Sequence, residues 1–172
     1  MYRLESYGAE GATVINDSFP YQSIFRAADV AAAELIVVGL NQQVMLSELA
    51  DYRFSFEVAG LTLNDGMKIL TDRESQSQLF GSYTTLKNGL IPDTDWKAAN
   101  GWQLGSLTEI EPIARAMAAH VRGCFRGERT VTTAIAEATT MEQIEAIDIR
   151  AQFMASYQGA FDEVMSAAQA LA

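Results

Sequence analysis

The sequence predicts an α+β protein, with a small β-rich N-terminal region followed by a mainly α-helical C-terminal bundle and a long terminal helix. Three observations carry this. Apolar and polar residues alternate with a period of two in parts of the first 66 residues, as in half-buried strands. After Thr71 the apolar spacing changes to three and four, and Ser/Thr-x-x-Glu/Gln pairs stand at the points of change. The last thirty or so residues hold one apolar stripe at steps of three and four.

In the β-rich part, Tyr2–Tyr7 alternates, Gly8 and Gly11 bracket a turn, and Ala12–Ile15 forms a second strand broken by Asn16-Asp17-Ser18. Residues Gln22 to Glu34 suit a short alanine-rich helix, with Ile24, Ala27, Ala28 and Ala31 on one face. Leu35–Leu40 reads as a buried strand ended by Asn41. Tyr52–Val58 reads as the clearest strand, with Tyr52, Phe54, Phe56 and Val58 on one side. A hairpin around Asn64-Asp65-Gly66 closes this region near Leu70, because Asp-Gly tolerates positive φ at both central positions.

In the helical part, Thr71 and Glu74 form the first expected capping box, Thr108 and Glu111 the second, and Thr140 and Gln143 the third. The first opens a helix through Leu79, Tyr83 and Leu86 that stops at Gly89. The second opens an amphipathic helix through Ile110, Ile113, Met117, Val121 and Cys124, ended by Gly127. A short helix over Thr130–Glu137 buries Val131, Ala134 and Ile135. Between them, Asn100-Gly101 sits in a hairpin flanked by Trp96 and Trp102; in an ideal two-residue turn Ala99 opposes Trp102 and Trp96 falls on the other face. The third cap opens a helix from Met141 to near the terminus, about 28 residues and about 42 Å long. Its stripe includes Ile144, Ile147, Met154, Phe161 and Met165, with a second stripe of Ile149, Phe153, Tyr157 and Val164. A helix apolar on two faces calls for cover, so Trp96, Trp102, Ile147, Met154, Phe161 and Met165 are the expected contact residues for other chains. The chain thus divides into residues 1–66, 67–150 and 151–172, the last continuing the terminal helix as an oligomer contact.

Composition narrows the function. The net charge of −10 repels a phosphate backbone, so a nucleic-acid partner is not expected. No run approaches the roughly 18 uninterrupted apolar residues of a membrane span, and Met1-Tyr2-Arg3-Leu4-Glu5 is unlike a signal peptide, so membrane insertion is not expected and folding takes place in a cytoplasm. The single cysteine, Cys124, excludes an internal disulfide. His120 and Cys124 stand one helical turn apart, but a zinc site needs further ligands of that type, and Cys124 lies on the apolar stripe, so a buried thiol is the reading. Asp72 and Glu74, at i and i+2, do not face each other as an acid/base pair and serve better at the positive end of a helix, with Arg73 anchoring the turn. With no phosphate loop and no Gly-x-Ser-x-Gly elbow, the expectation is a non-enzymatic protein without cofactor or metal.

An ordered set of short motifs adds a resemblance. Ile69-Leu70-Thr71-Asp72-Arg73-Glu74-Ser75-Gln76, then Leu79-x-Gly81-x-Tyr83, Trp96-Lys97, Asn100-Gly101, Leu107-Thr108-Glu109-Ile110, His120-Val121-x-x-Cys124-Phe125-x-x-Glu128 and Thr139-Thr140-x-x-x-Ile144 resemble a domain of unknown function common in phage tail proteins, over about residues 60–148. The resemblance implies location and company rather than chemistry: a structural virion protein of the tail tip, baseplate or tail fibre, whose residues 1–66 dock and whose partners are other tail proteins. It carries no catalytic residues. With the helix pattern it implies a homo-oligomer, three copies favoured by fibre symmetry. A tail-fibre assembly chaperone absent from the finished particle is the alternative, and a host-surface hydrolase is disfavoured because no paired carboxylate frame stands out.

Overall fold

The computed structural model describes residues 1–63, 66–98 and 101–169. The elements are β1 (Tyr2–Gly8), β2 (Gly11–Asn16), β3 (Phe19–Phe25), α1 (Val30–Glu57), β4 (Leu61–Thr62), β5 (Lys68–Ile69), α2 (Arg73–Lys87), β6 (Thr94–Ala98), β7 (Gly101–Gly105), α3 (Leu107–Glu137), α4 (Met141–Glu145) and α5 (Ile149–Gln169). This is the α+β class, with antiparallel strands at the N-terminus and a helical C-terminal region ending in a long helix. The chain divides into two compact units, Met1–Asp51 with Arg129–Gln152, and Tyr52–Glu128 with Phe153–Ala172.

In the first unit β1, β2 and β3 form an antiparallel sheet in that order. The expected turn after Gly8 is present. Gly11 takes φ +124°, and a Cβ there would lie 2.4 Å from the Phe25 carbonyl oxygen, so only glycine fits. Asp29 caps α1, its Oδ1 accepting from the Ala32 amide at 2.8 Å.

The helix that follows overturns three local expectations. The alanine-rich helix over Gln22–Glu34 is strand at its start and begins as helix only at Val30. The strands expected at Leu35–Leu40 and Tyr52–Val58 are both parts of α1. The buried residues Ala33, Val37, Asn41, Met45 and Leu49 explain why: they recur every fourth position, a helical row in which polar Asn41 interrupts the apolar pattern. At the far end Phe54, which strand alternation would group with Tyr52 and Phe56, is 49% exposed, while Tyr52 and Phe56 lie one turn apart with their rings 6.2 Å apart.

Among the described residues α1 is the helix long and apolar enough to cross a membrane by length and composition. Its polar residues have specific partners within the first unit. Asn41 Oδ1 accepts from the Tyr2 amide at 2.8 Å while its Nδ2 donates to the Tyr2 carbonyl at 2.9 Å. Gln42 Nε2 donates to the carbonyls of Ile135 and Ala138, at 2.8 and 3.0 Å, satisfying acceptors that the end of α3 leaves open.

In the second unit, Ile69, Leu79, Leu86, Ile110, Ile113, Ala114 and Met117 form a buried cluster on α2 and α3. β4 and β5 pair as the expected hairpin, although Asn64 and Asp65 lie outside the described residues. In the hairpin of β6 and β7, Trp102 pairs with Lys97 and Gly101 with Ala98, so the register differs by two from the ideal turn that sets Ala99 opposite Trp102. Ala99, Asn100 and the side chain of Trp96 lie outside the described residues.

Two further corrections concern helix ends. Gly127 does not stop α3, which continues to Glu137 and absorbs the separate helix expected over Thr130–Glu137. Gly127 and Gly123 instead let α5 approach: a Cβ at either position would lie 2.7 Å from the Cδ2 of Phe153 or Tyr157 respectively. The terminal rod is also not continuous. It breaks between Glu145 and Ile149, where Asp148 Oδ1 accepts from the Ala151 amide at 2.9 Å and starts α5 afresh.

Candidate functional site

The densest arrangement of chemically capable side chains in the second unit centres on Glu57, the last residue of α1, whose side chain is 0% exposed. Arg53 Nη1 lies 2.7 Å from Glu57 Oε2, Arg73 Nη2 3.1 Å from Oε1, and Gln76 Nε2 donates to Oε1 at 3.1 Å. Arg53 Nε reaches Glu128 at 3.1 Å, and its guanidinium lies over the Phe125 ring, 4.9 Å from the centroid. Two carboxylates and two guanidiniums balance in charge, the condition for burying ions at tolerable cost.

The Glu57 carbonyl, an orphan acceptor at the helix end, takes bonds from Thr71 Oγ1 at 2.6 Å and His120 Nε2 at 2.9 Å. A carbonyl can only accept, so His120 carries its proton on Nε2, and Nδ1 accepts from the Tyr157 hydroxyl at 2.9 Å. Thr71 Oγ1 also accepts from the Gly60 amide at 2.9 Å, and Gln76 donates to the Thr71 carbonyl at 2.8 Å. The ends of α1 and β5, the start of α2, and the middles of α3 and α5 therefore meet at one polar knot.

Its electrostatics are those of a closed interior. Burial pulls His120 below its ordinary value, opposed by the hydrogen bond to Glu57, so the ring stays neutral. Burial pushes the Cys124 thiol up to about 12 and the Tyr157 hydroxyl up to about 12. A thiol so protonated, 3.9 Å from His120, is a poor nucleophile. Among the described residues every buried side-chain nitrogen and oxygen has a hydrogen-bond partner. No group of three or more His, Cys, Asp or Glu stands in metal-holding array among them. The knot ties helices together, and no ring nitrogen or carboxylate in it is offered to a substrate.

The expected caps fall partly elsewhere. Thr140 and Gln143 form a complete capping box on α4. At α2 the cap is Asp72, its side chain accepting from the Ser75 amide at 3.0 Å and from Ser75 Oγ at 2.7 Å, which holds its carboxyl below the usual range. Thr71 is turned inward to the knot, and Glu74 accepts from Gln78 on the surface. At α3 the start lies two residues before the expected box: Glu109 accepts from the Ser106 amide and hydroxyl at 2.8 and 2.9 Å, while Glu111 pairs with Arg115. A one- or two-residue slip arises because Asp and Ser compete with Thr for the capping position.

The expected contact residues also separate. Trp102 on β7 is 71% exposed, with Leu104 two residues on at 63%. Ile147 sits in the break before α5, half-buried, and Met154, Phe161 and Met165 are half-buried on α5. The second stripe is the covered one: Phe153 and Tyr157 are buried with Ala160, their rings against Phe56 at 5.6 and 4.9 Å. Much of the apolar surface of the terminal helix is thus covered by its own chain. The more open apolar side chains are Trp102 and Leu104, with Leu90 and Ile91 ahead of β6, and Phe54 and Phe125 beside Arg53.

Sequence reasoning missed Glu57, Arg53 and Tyr157, since a strand reading turns Arg53 and Glu57 outward. The signal was present as an Arg-x-x-x-Glu step, one helical turn apart, leading into the Thr71–Gln76 motif.

Neither the curated proteins nor the solved structures include a match to this chain. Residues 41–151 match a family described as a domain of unknown function, DUF4376. That span holds most of the knot, including Arg53, Glu57, Thr71, Arg73, Gln76, His120 and Glu128, and well over half of the 172 residues, and the chain therefore belongs to the DUF4376 family.

Proposed function

We propose that this chain is a structural component of a bacteriophage tail, at the tail tip, the baseplate or a fibre attachment, and that it works by binding other tail proteins. It is made in the host cytoplasm and carried in the virion, with a trimer the favoured assembly and neither nucleic acid nor membrane insertion in its role. The observation that supports this most is the pairing of a closed interior with an open apolar hairpin. The polar groups able to do chemistry are spent on holding helices together, whereas Trp102 and Leu104 stand exposed on β7, and tryptophan in such a setting is the commonest kind of interface anchor. The resemblance of the ordered motifs to phage tail domains supplies the location, by analogy. The half-covered state of Phe161 and Met165 moves the weight of the reading from the terminal helix to the hairpin.

Mass spectrometry of purified particles of the encoding phage tests this. The chain should be recovered in stoichiometric, low copy number with the tail. Its presence in infected cells but absence from particles, with fibres failing to form when it is deleted, would reassign it as a tail-fibre assembly chaperone. Hydrolysis of a host-surface polymer by the purified chain would overturn the reading. Light scattering on the isolated chain bears on the trimer, which a monodisperse monomer at tens of micromolar would remove.

A further inference from the structure

Two hollows in the second unit share Leu63 and Pro112 as common walls and so run into one another. The larger, about 630 Å³, has Leu61, Ala116, Phe161 and Met165 on its sides. The smaller, about 300 Å³, is floored by Ile110 and Ile113 and reaches Met67 and Leu104. The joint groove is apolar along its length, and methionine at both ends suits a surface that adapts to a partner's side chains. Its charges are of one sign: Asp162 is the charged residue lining the larger hollow and Glu109 the one lining the smaller, with no Lys or Arg lining either. The hollow in the first unit is different, with Arg3 ion-paired to Asp17 beside Glu34 and Glu145.

The geometry points to this groove as the docking site for an amphipathic helix of another protein, with an apolar face and flanking Lys or Arg residues. This rests on the assembly reading above and specifies its partner. The apolar floor receives the face, and the acidic rim selects basic flanks. An extended peptide is the poorer occupant, because β4 beside the groove is two residues long and offers little backbone to pair with. A second copy is poorer too, because it brings the same net charge of −10.

A fluorescently labelled helical peptide of Leu and Lys in amphipathic order, and its twin with Glu in place of Lys, titrated into the full chain with anisotropy as readout, test the inference. The Lys peptide should bind and the Glu twin should not. Leu104→Glu and Met165→Glu, at exposed and half-buried positions, should each weaken binding by more than tenfold, and Asp162→Lys by roughly threefold to tenfold, the range for a rim charge. Leu35→Glu, at an exposed site in the first unit, should leave binding unchanged, and circular dichroism should show the helices intact in every variant. Equal binding of both peptides, no binding of either, or equal loss with Leu35→Glu would overturn the inference. Self-association of the chain abolished by Leu104→Glu would assign the groove to a second copy instead. Particle mass spectrometry separates the two levels: a chain present in tails whose groove ignores the Lys peptide would leave the tail reading standing and remove this one.

Discussion

Adding a single methyl group at Gly127 tests the packing of α5 on α3. Two opposed effects set the outcome. Alanine favours a helix over glycine by about 1 kcal/mol. Against this, a Cβ at Gly127 would stand 2.7, 2.9 and 3.0 Å from three ring atoms of Phe153, where carbon contacts settle near about 3.5–4.0 Å. The ring would have to shift by about 1 Å, and it is fully buried, with Tyr52 and Phe56 edge-on at 5.1 and 5.6 Å. Overpacking of this kind costs about 1–3 kcal/mol, so Gly127→Ala should be destabilised by about 1 kcal/mol net, up to about 2. Gly159, helical with nothing within 4 Å of its notional Cβ, is the control, and Gly159→Ala should gain about 0.5–1 kcal/mol. Urea unfolding followed by circular dichroism should place the two midpoints on opposite sides of the parent. Phe153→Leu in the Gly127→Ala background should recover part of the loss in a double-mutant cycle. If Gly127→Ala stabilises the chain as much as Gly159→Ala does, the close approach of α5 is wrong.

The polar knot gives three further expectations. Glu57→Gln keeps the volume but leaves Arg53 facing an amide, and should cost about 3 kcal/mol by thermal unfolding; Arg73, 57% exposed, contributes little to that figure because water takes over its charge, and an unchanged melting temperature would refute the role given to Glu57. His120, depressed by burial, contributes stability that is fully present above its ordinary value of 6.5 and is lost as pH falls from there through its lower folded value; the slope of stability against pH in that window should flatten in His120→Gln, and an equal slope would count against a neutral buried ring. Cys124, its thiol pushed up to about 12 and buried, should resist iodoacetamide at neutral pH in the folded chain and react once denatured, so rapid labelling of the native protein would contradict the packing.

The sequence disclosed the fold class and the first two strands because each depends on local pattern alone. It misread residues 35–58 because two rules conflict there. Val, Ile, Tyr and Phe favour strands by propensity, and Tyr52–Val58 alternates, but burial at every fourth position from Ala33 to Leu49 carries the helix through. Gly127 looks like a stop signal in sequence, and only the ring of Phe153 shows it to be a space. Asp148 could have been read as a cap, yet the stripe from Ile144 to Met165 runs through it unbroken. The candidate site was half visible: the Thr71–Gln76 motif and His120 stood out in order, but what joins them is Glu57, whose partners lie up to 71 residues away in the chain. Long-range polar bonds of that kind leave no periodic trace.

Asn41 has a consequence for what can be added to the N-terminal sheet. Strand β1 is an edge, and edges invite neighbouring chains to stack on as extra strands. At Tyr2 the invitation is withdrawn, because the side-chain amide of Asn41 already sits where a visiting backbone would bond, donating and accepting in the same way as a peptide group. A helix thus stands in for a missing strand. Fibrous stacking through this end of β1 would first require the carboxamide to be displaced, so loss of the amide, as in Asn41→Leu, should make the molecule more prone to clump as it ages in solution.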